Sequence, residues 1–299
     1  MEERMIWKGL QVSDFIHPGE VEARDTLIRS AAFQKAVSLL SGASQMLNRT
    51  VVEGTYIQLS KETAPRVIKI LEDVCRILDW PSVPALYVCR KMAQIVTPFC
   101  RIAETSSGSG FPETKENYLV MSDYVLRNFD EDMLYYSFGN AVAMIMAGHV
   151  KITTVAAYMG SSLWTAVPQM KFKQYLHMAD STSDRGGLLA CQSMAAAARC
   201  HLLEMGLPLG LSRRLLATPR MTGDFLEQYL KEALGEERRM NGLNRAARMW
   251  IDATYMEGAA GGMLEELYQW YRKGYRKLRE RYRERIRQGG DGCVQRKTV

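Results

Sequence analysis

Few residues in this chain have the types and spacing for metal or proton chemistry. Its 299 residues include four histidines and six cysteines. His177 and Asp180 stand three apart, a spacing that puts both on one helix face and is compatible with shared coordination of one ion. His149 is the nearest further imidazole. Three such ligands around zinc would activate a bound water for hydrolysis. His17 precedes Pro18, which biases it to extended backbone, and reads as a structural residue at a helix boundary. Asp184 and Arg185 read as an ion pair or cap fixing one helix against another.

A second kind of chemistry sits near the C-terminus. Leu264, Leu267, Tyr271, Tyr275, Leu278, Tyr282 and Ile286 recur at three- and four-residue spacing, while Arg272, Lys273, Arg276, Lys277, Arg279 and Arg283 fill other positions. The pattern is an amphipathic helix with an aromatic seam and a basic outer face. It predicts either a solvated helix held to the body by its tyrosines or a dock for an acidic protein, anionic lipid or nucleic acid. Glu280 and Glu284 can pair with arginines one turn away, which favours the solvated helix. Residues 271–299 hold eleven Lys/Arg against three Asp/Glu, a balance of +8. Since the whole chain carries +6, residues 1–270 carry −2, and the basicity belongs to the tail.

Composition sets the frame for these sites. At 47% hydrophobic and 24% charged residues, the chain matches ordinary globular proteins that fold without disulfides or structural metals. Cys75, Cys89, Cys100, Cys191, Cys200 and Cys293 form no CxxC pair and no Cys/His cluster, so reduced thiols and a cytoplasmic setting are expected. The N-terminus shows no apolar run of signal-peptide length. The most apolar window, Met133 to Val150, is broken by Ser137, Asn140 and His149 and reads as a core helix rather than a membrane span.

The elements that must position the candidates follow from periodicity. Helices are expected over Glu20–Leu40, from Pro65 to about Asp79, and over Phe129–Val150, where Asp130, Glu131 and Asp132 suit the positive end of the dipole. Further helices are expected over Thr153–Leu163, from about Phe172, over Gly186–Met205, over Phe225–Leu234, and from Leu243 onward with a soft point at Gly258–Gly262. Val51–Leu59, Pro84–Cys89, Ile95–Ile102 and Asn117–Met121 read as strands, the second and third joined by a turn at Arg90-Lys91, and Thr105–Gly110 as a loop. A small antiparallel sheet pairs these strands most simply.

Four pieces in order resemble the HtpX-like zinc metallopeptidases, peptidase family M forty-eight. They are Phe15-Ile-His-Pro18, the strand and helix start Leu119–Leu134, Phe138-Gly-Asn-Ala-Val-Ala-Met-Ile-Met-Ala-Gly-His-Val150, and Met178-Ala-Asp-Ser-Thr-Ser-Asp-Arg-Gly-Gly-Leu-Leu-Ala190. The resemblance covers roughly residues 10–205. It implies an α+β, predominantly helical zincin-like (gluzincin) fold with a small antiparallel sheet. It divides the chain into a leader (1–14), a metallopeptidase-like domain (15–210), a helical extension (211–270), the basic helix (271–287) and a tail expected to be disordered (288–299). In that family a His-Glu-x-x-His helix supplies two zinc ligands and the general base. The first histidine falls on Asn140, the base on Ala141, the second histidine on Met144 and the third ligand on Asp180, while the outer-shell aspartate falls on Asp184.

An amide, a methyl group and a thioether do not bind zinc as imidazole does, and none of them takes a proton from water. The resemblance therefore implies a non-catalytic pseudoprotease, without cofactor, that binds a protein or peptide partner in the former substrate cleft. The alternative is an active zinc metalloendopeptidase with a site rebuilt from His149, His177 and Asp180. A second alternative is a docking module led by the basic helix. Asp184 can still accept a hydrogen bond from Asn140, and His149 and Arg185 read as structural.

Overall fold

In a computed structural model, residues 4–31, 33–34, 56–90, 96–102, 114–153, 169–239 and 260–287 are described. The parts of the expected elements that fall on 32, 35–40, 51–55, 91, 95, 105–110, 154–163, 243–259 and 288–299 lie outside them. The architecture is α+β and mostly helical. A short 3₁₀ turn, Val12–Asp14, precedes α1 (Glu20–Ile28). Then come β1 (Ile57–Leu59), α2 (Pro65–Ile77), β2 (Ala85–Cys89), β3 (Val96–Ile102), β4 (Thr114–Ser122) and α3 (Asp123–Asn128). The remainder is α4 (Glu131–Met146), α5 (Gln169–Cys191), α6 (Met194–Glu204), α7 (Leu209–Leu215), α8 (Pro219–Arg239), α9 (Ala260–Trp270), a π-helical turn (Tyr271–Tyr275) and α10 (Arg276–Arg287). No helix among the described residues is long and apolar enough to cross a membrane.

The sheet corrects an expectation. Its order is β1-β2-β4-β3, with β1 antiparallel to β2, β2 parallel to β4, and β3 antiparallel to β4. It is therefore mixed rather than antiparallel. β2 and β3 do not form the hairpin that their closeness in sequence suggested, because β4 lies between them. Strand sequence reveals which residues can pair, but pairing partners are chosen by tertiary packing.

α2 forms as its periodicity dictates. Pro65 occupies the first turn, and Val67, Ile70, Leu71, Val74, Ile77 and Leu78 are all buried. α4 starts where its acidic residues suggested, and the Asp130 carboxylate caps it by accepting from Met133 N at 3.0 Å. α4 stops earlier than expected, at Met146. Gly148 takes φ +76° there, and helical backbone resumes at 149–153. The expected 186–205 helix is likewise two helices, broken where Gln192 takes φ +56° and Ser193 caps α6. Gly235 does not end the expected 225–234 helix, since α8 runs through it.

α4 and α5 meet at their backbones. A Cβ added at Gly139 would lie 2.4 Å from Ala190 Cβ, and one at Gly186 would lie 2.1 Å from Ala143 Cβ. One at Gly187 would meet Tyr136 at 2.9 Å. Small residues on both faces are the condition for this approach.

The leader and the basic helix are parts of the same body. Trp7 is fully buried, donates from Nε1 to Leu189 O at 2.8 Å, and packs edge-on against Tyr275 and Tyr282 at 5.9 and 5.3 Å. Tyr282 donates to Asp14 at 3.0 Å, and Arg281 pairs with the same carboxylate. Leu264, Leu267, Tyr275, Leu278 and Tyr282 are buried, so the aromatic seam faces the core, while Ile286 remains 62% exposed. Gly274 leaves room for the Trp270 indole, which a Cβ there would meet at 2.4 Å.

Overpacking at such a contact costs about 1–3 kcal/mol. Gly139→Ala and Gly186→Ala are each expected to lower unfolding free energy by about 2 kcal/mol in urea denaturation. Gly223, inside α8 with nothing within 4 Å of an added Cβ, is the control. Gly223→Ala is expected to raise stability by about 0.5–1 kcal/mol.

Candidate functional site

α4 displays a narrow stripe. From Met133 to Ile145 the only positions that are not buried are Ser137, Asn140 and Met144, spaced i, i+3 and i+7. α5 is comparable. From Ala179 to Cys191 every residue is buried except Asp180, which is exposed. The Asp180 carboxyl nevertheless has protein packed around it. Burial, then the neighbouring Asp184 carboxylate, pushes its pKa up to about 7.

One turn along α5, Asp184 is buried within a polar chain. Asn140 Nδ2 and Tyr136 Oη each donate to Asp184 Oδ1 at 2.8 Å. Tyr136 Oη lies 2.9 Å from His201 Nε2, and His201 Nδ1 is buried without a hydrogen-bond partner. The tyrosine proton goes to the carboxyl, so His201 Nε2–H donates to the tyrosine oxygen and its bare Nδ1 is the unsatisfied atom. Burial lowers the His201 pKa and keeps the ring neutral. Burial also raises Asp184 to about 7, opposed by the Tyr136 and Asn140 hydrogen bonds. Tyr136 is pushed well above its ordinary range by burial first and Asp184 second.

The three candidates for a rebuilt metal site are not brought together. His149 lies beyond the end of α4, past Gly148, fully buried with Nε2 2.6 Å from Glu20 Oε1. Thr182 donates to the other Glu20 oxygen and accepts from His17 N at 2.8 Å. His149 thus ties α1 to the helix pair. His177 Nε2 lies 2.9 Å from Glu266 Oε1 of α9, and that hydrogen bond raises the His177 pKa. Burial pushes Glu266 up, but the His177 bond and charge outweigh it and leave its pKa lowered. Among the described residues no group of three His, Cys, Asp or Glu side chains is arranged to hold a metal ion.

The remaining candidates are accounted for individually. Arg185 does not pair with Asp184. Its Nη1 donates to Phe15 O and Ile16 O at 3.3 and 3.0 Å, and its guanidinium sits 5.6 Å from the Trp270 ring centroid. His17 Nδ1 accepts from Gly19 N at 3.2 Å, and burial followed by the Arg185 charge lowers its pKa. Cys75, Cys89, Cys191 and Cys200 are buried and form no disulfide. On the basic face Lys273, Arg276, Lys277 and Arg283 are exposed, Arg279 is half-buried, and Arg272 pairs with Glu227 at 2.9 Å.

Sequence reasoning missed Glu20, Tyr136, His201 and Glu266. Glu20 looks like an ordinary acidic residue in a helix's first turn, and the other three act through partners 48 to 89 positions away. Comparison with family models, curated proteins and solved structures finds no match to this chain.

Asp184 fixes a sign for pH dependence. A carboxyl whose folded pKa is raised from its unfolded value of about 4 stays protonated while the unfolded chain ionises. Its contribution to stability is complete below pH 4 and is lost as pH rises toward 7. Asp180 acts in the same direction. In urea denaturation between pH 4 and 8, Asp184→Asn is expected to remove part of the decline between pH 4 and 7. An unchanged profile would mean that Asp184 is ionised in the folded state.

Proposed function

We propose that this chain is a non-catalytic relative of the HtpX-like zinc metallopeptidases that holds an extended protein segment in the former substrate cleft. The observation that carries this reading is the shared solvent access of Asn140, Met144 and Asp180 on largely buried stretches of two helices. Those are the three positions where the resemblance puts zinc ligands. The hydrogen bond from Asn140 to Asp184 also has the form expected if an amide has replaced an imidazole in front of its orienting carboxylate. Ala141, in the position of the general base, is fully buried and has no group that titrates.

A zincin-like arrangement is consistent with the rest of the fold. β3 ends the sheet and packs against α4, so a free strand edge lies beside the helix that carries Asn140. An extended segment can add to such an edge by main-chain hydrogen bonds. Pro98 in β3 supplies no N–H, so a bound segment would pair on either side of it.

Elemental mass spectrometry on protein purified without a metal-binding tag is expected to find far less than one zinc per chain. Fluorescein-labelled unfolded casein is expected to bind without being cleaved, and Met144→Glu to weaken that binding about tenfold, the equivalent of about 1.4 kcal/mol. Stoichiometric zinc that disappears in His177→Ala or Asp180→Ala would overturn the proposal in favour of a working metal site.

A further inference from the structure

The function proposed above makes no use of α10, and the geometry points to this helix as a docking site for the phosphodiester backbone of a nucleic acid, bound without regard to base sequence. Arg276, Arg279, Arg283 and Arg287 stand at i, i+3, i+7 and i+11 of one continuous α-helix. That spacing aligns them along one side, about one per turn over about 16 Å. Arg276, Arg283 and Arg287 are exposed. Their neighbours Arg272 and Arg281 are neutralised by Glu227 and Asp14. Among the described residues, no carboxylate lies within ion-pair distance of any of the four ridge arginines. Lys273 and Lys277, also exposed, add charge on the adjoining face, beside Glu280 and Glu284.

The inner face of the helix decides between kinds of anion. An interfacial helix binds membranes by burying its apolar side in the lipid. Here that side is already used, since Tyr275, Leu278 and Tyr282 are buried against the body and Trp7 packs on both tyrosines. What remains outside is charged and mainly cationic, five arginines and one lysine exposed with Glu280 and Glu284, and Ile286 is the one large apolar residue exposed on α10. A regular line of guanidinium forks complements an evenly charged strand of phosphates better than an irregular carboxylate patch. The outer face carries no exposed aromatic ring on which a base could stack, so recognition stops at the backbone. The Asp14 contacts hold the helix on the body, so the ridge is presented ready-made.

The test is fluorescence anisotropy of a fluorescein-labelled 20-base-pair duplex of mixed sequence with the full chain, titrated at several salt concentrations. Binding is expected near 10 µM at low salt, with log K falling against log salt by about 0.9 per phosphate contacted. Combining Arg276→Gln, Arg283→Gln and Arg287→Gln is expected to weaken binding at least tenfold at low salt. It is also expected to make the salt slope shallower by about 2 to 3. A charge-matched control, Arg66→Gln, Arg127→Gln and Arg220→Gln, removes exposed arginines elsewhere and is expected to stay within about twofold of the parent. The proposal is overturned if the parent does not bind the duplex or if the control loses as much as the ridge variant. It also fails if phosphatidylserine vesicles or polyglutamate, rather than the duplex, are what the ridge variant ceases to bind.

Discussion

The backbone contact between α4 and α5 is the constraint from which the rest of the structure follows. At Gly139 and Gly186 even one added methyl group would overlap an alanine on the facing helix. Because the helices meet so closely, side chains one turn from the contact are set in register. Asn140 and Tyr136 reach Asp184 at hydrogen-bond distance, and Asp184 in turn connects to α6 through Tyr136 and His201. The N-terminal segment is fastened to the same pair, through Trp7 to Leu189 and through Thr182 to both Glu20 and His17. The C-terminal helices close over it by way of Glu266, Trp270 and Tyr275.

The polar groups trapped by this packing are arranged as a chain whose donations converge on Asp184. A buried neutral carboxyl costs far less than a buried carboxylate, and in either state Asp184 Oδ1 accepts from two donors. The unsatisfied His201 Nδ1 marks the far end of the chain. The arrangement couples α4, α5 and α6 without an ion pair at its centre. His201 Nε2 also lies 3.4 Å from Asp184 Oδ2, and a further buried histidine–carboxylate contact, His149 with Glu20, joins α1 to the core.

Much of the fold was legible in the sequence because local rules fix it. The α2 stripe, the acidic cap of α4, the strand positions and the buried aromatic seam of the basic helix all follow from periodicity and turn chemistry. The hydrogen bond between Asn140 and Asp184 was also foreseeable, but only through a resemblance that aligned residues 44 positions apart. What could not be read was set by tertiary choice. The insertion of β4 between β2 and β3, the interruption of helix at Gly148, and the break at Gln192 are not signalled by local periodicity. Glu20 and Glu266 were missed for the same reason, since nothing near either of them in sequence signals a histidine partner.

Packing and chemistry make separable demands on these two helices. Positions 139, 143, 186, 187 and 190 must be small because backbones meet there, whatever the protein does. Positions 140, 144 and 180 face solvent, where substitutions away from special features usually change stability by no more than about 0.5 kcal/mol. A scaffold divided in this way can lose ligands and base while its core stays intact, provided that the buried carboxyl behind them keeps a donor. Asn140 is such a donor: an apolar residue there would remove one of the two hydrogen bonds to Asp184 Oδ1, whereas the amide preserves it without an imidazole. The hydrogen bond to Asp184 is thus a structural reason for an amide at residue 140.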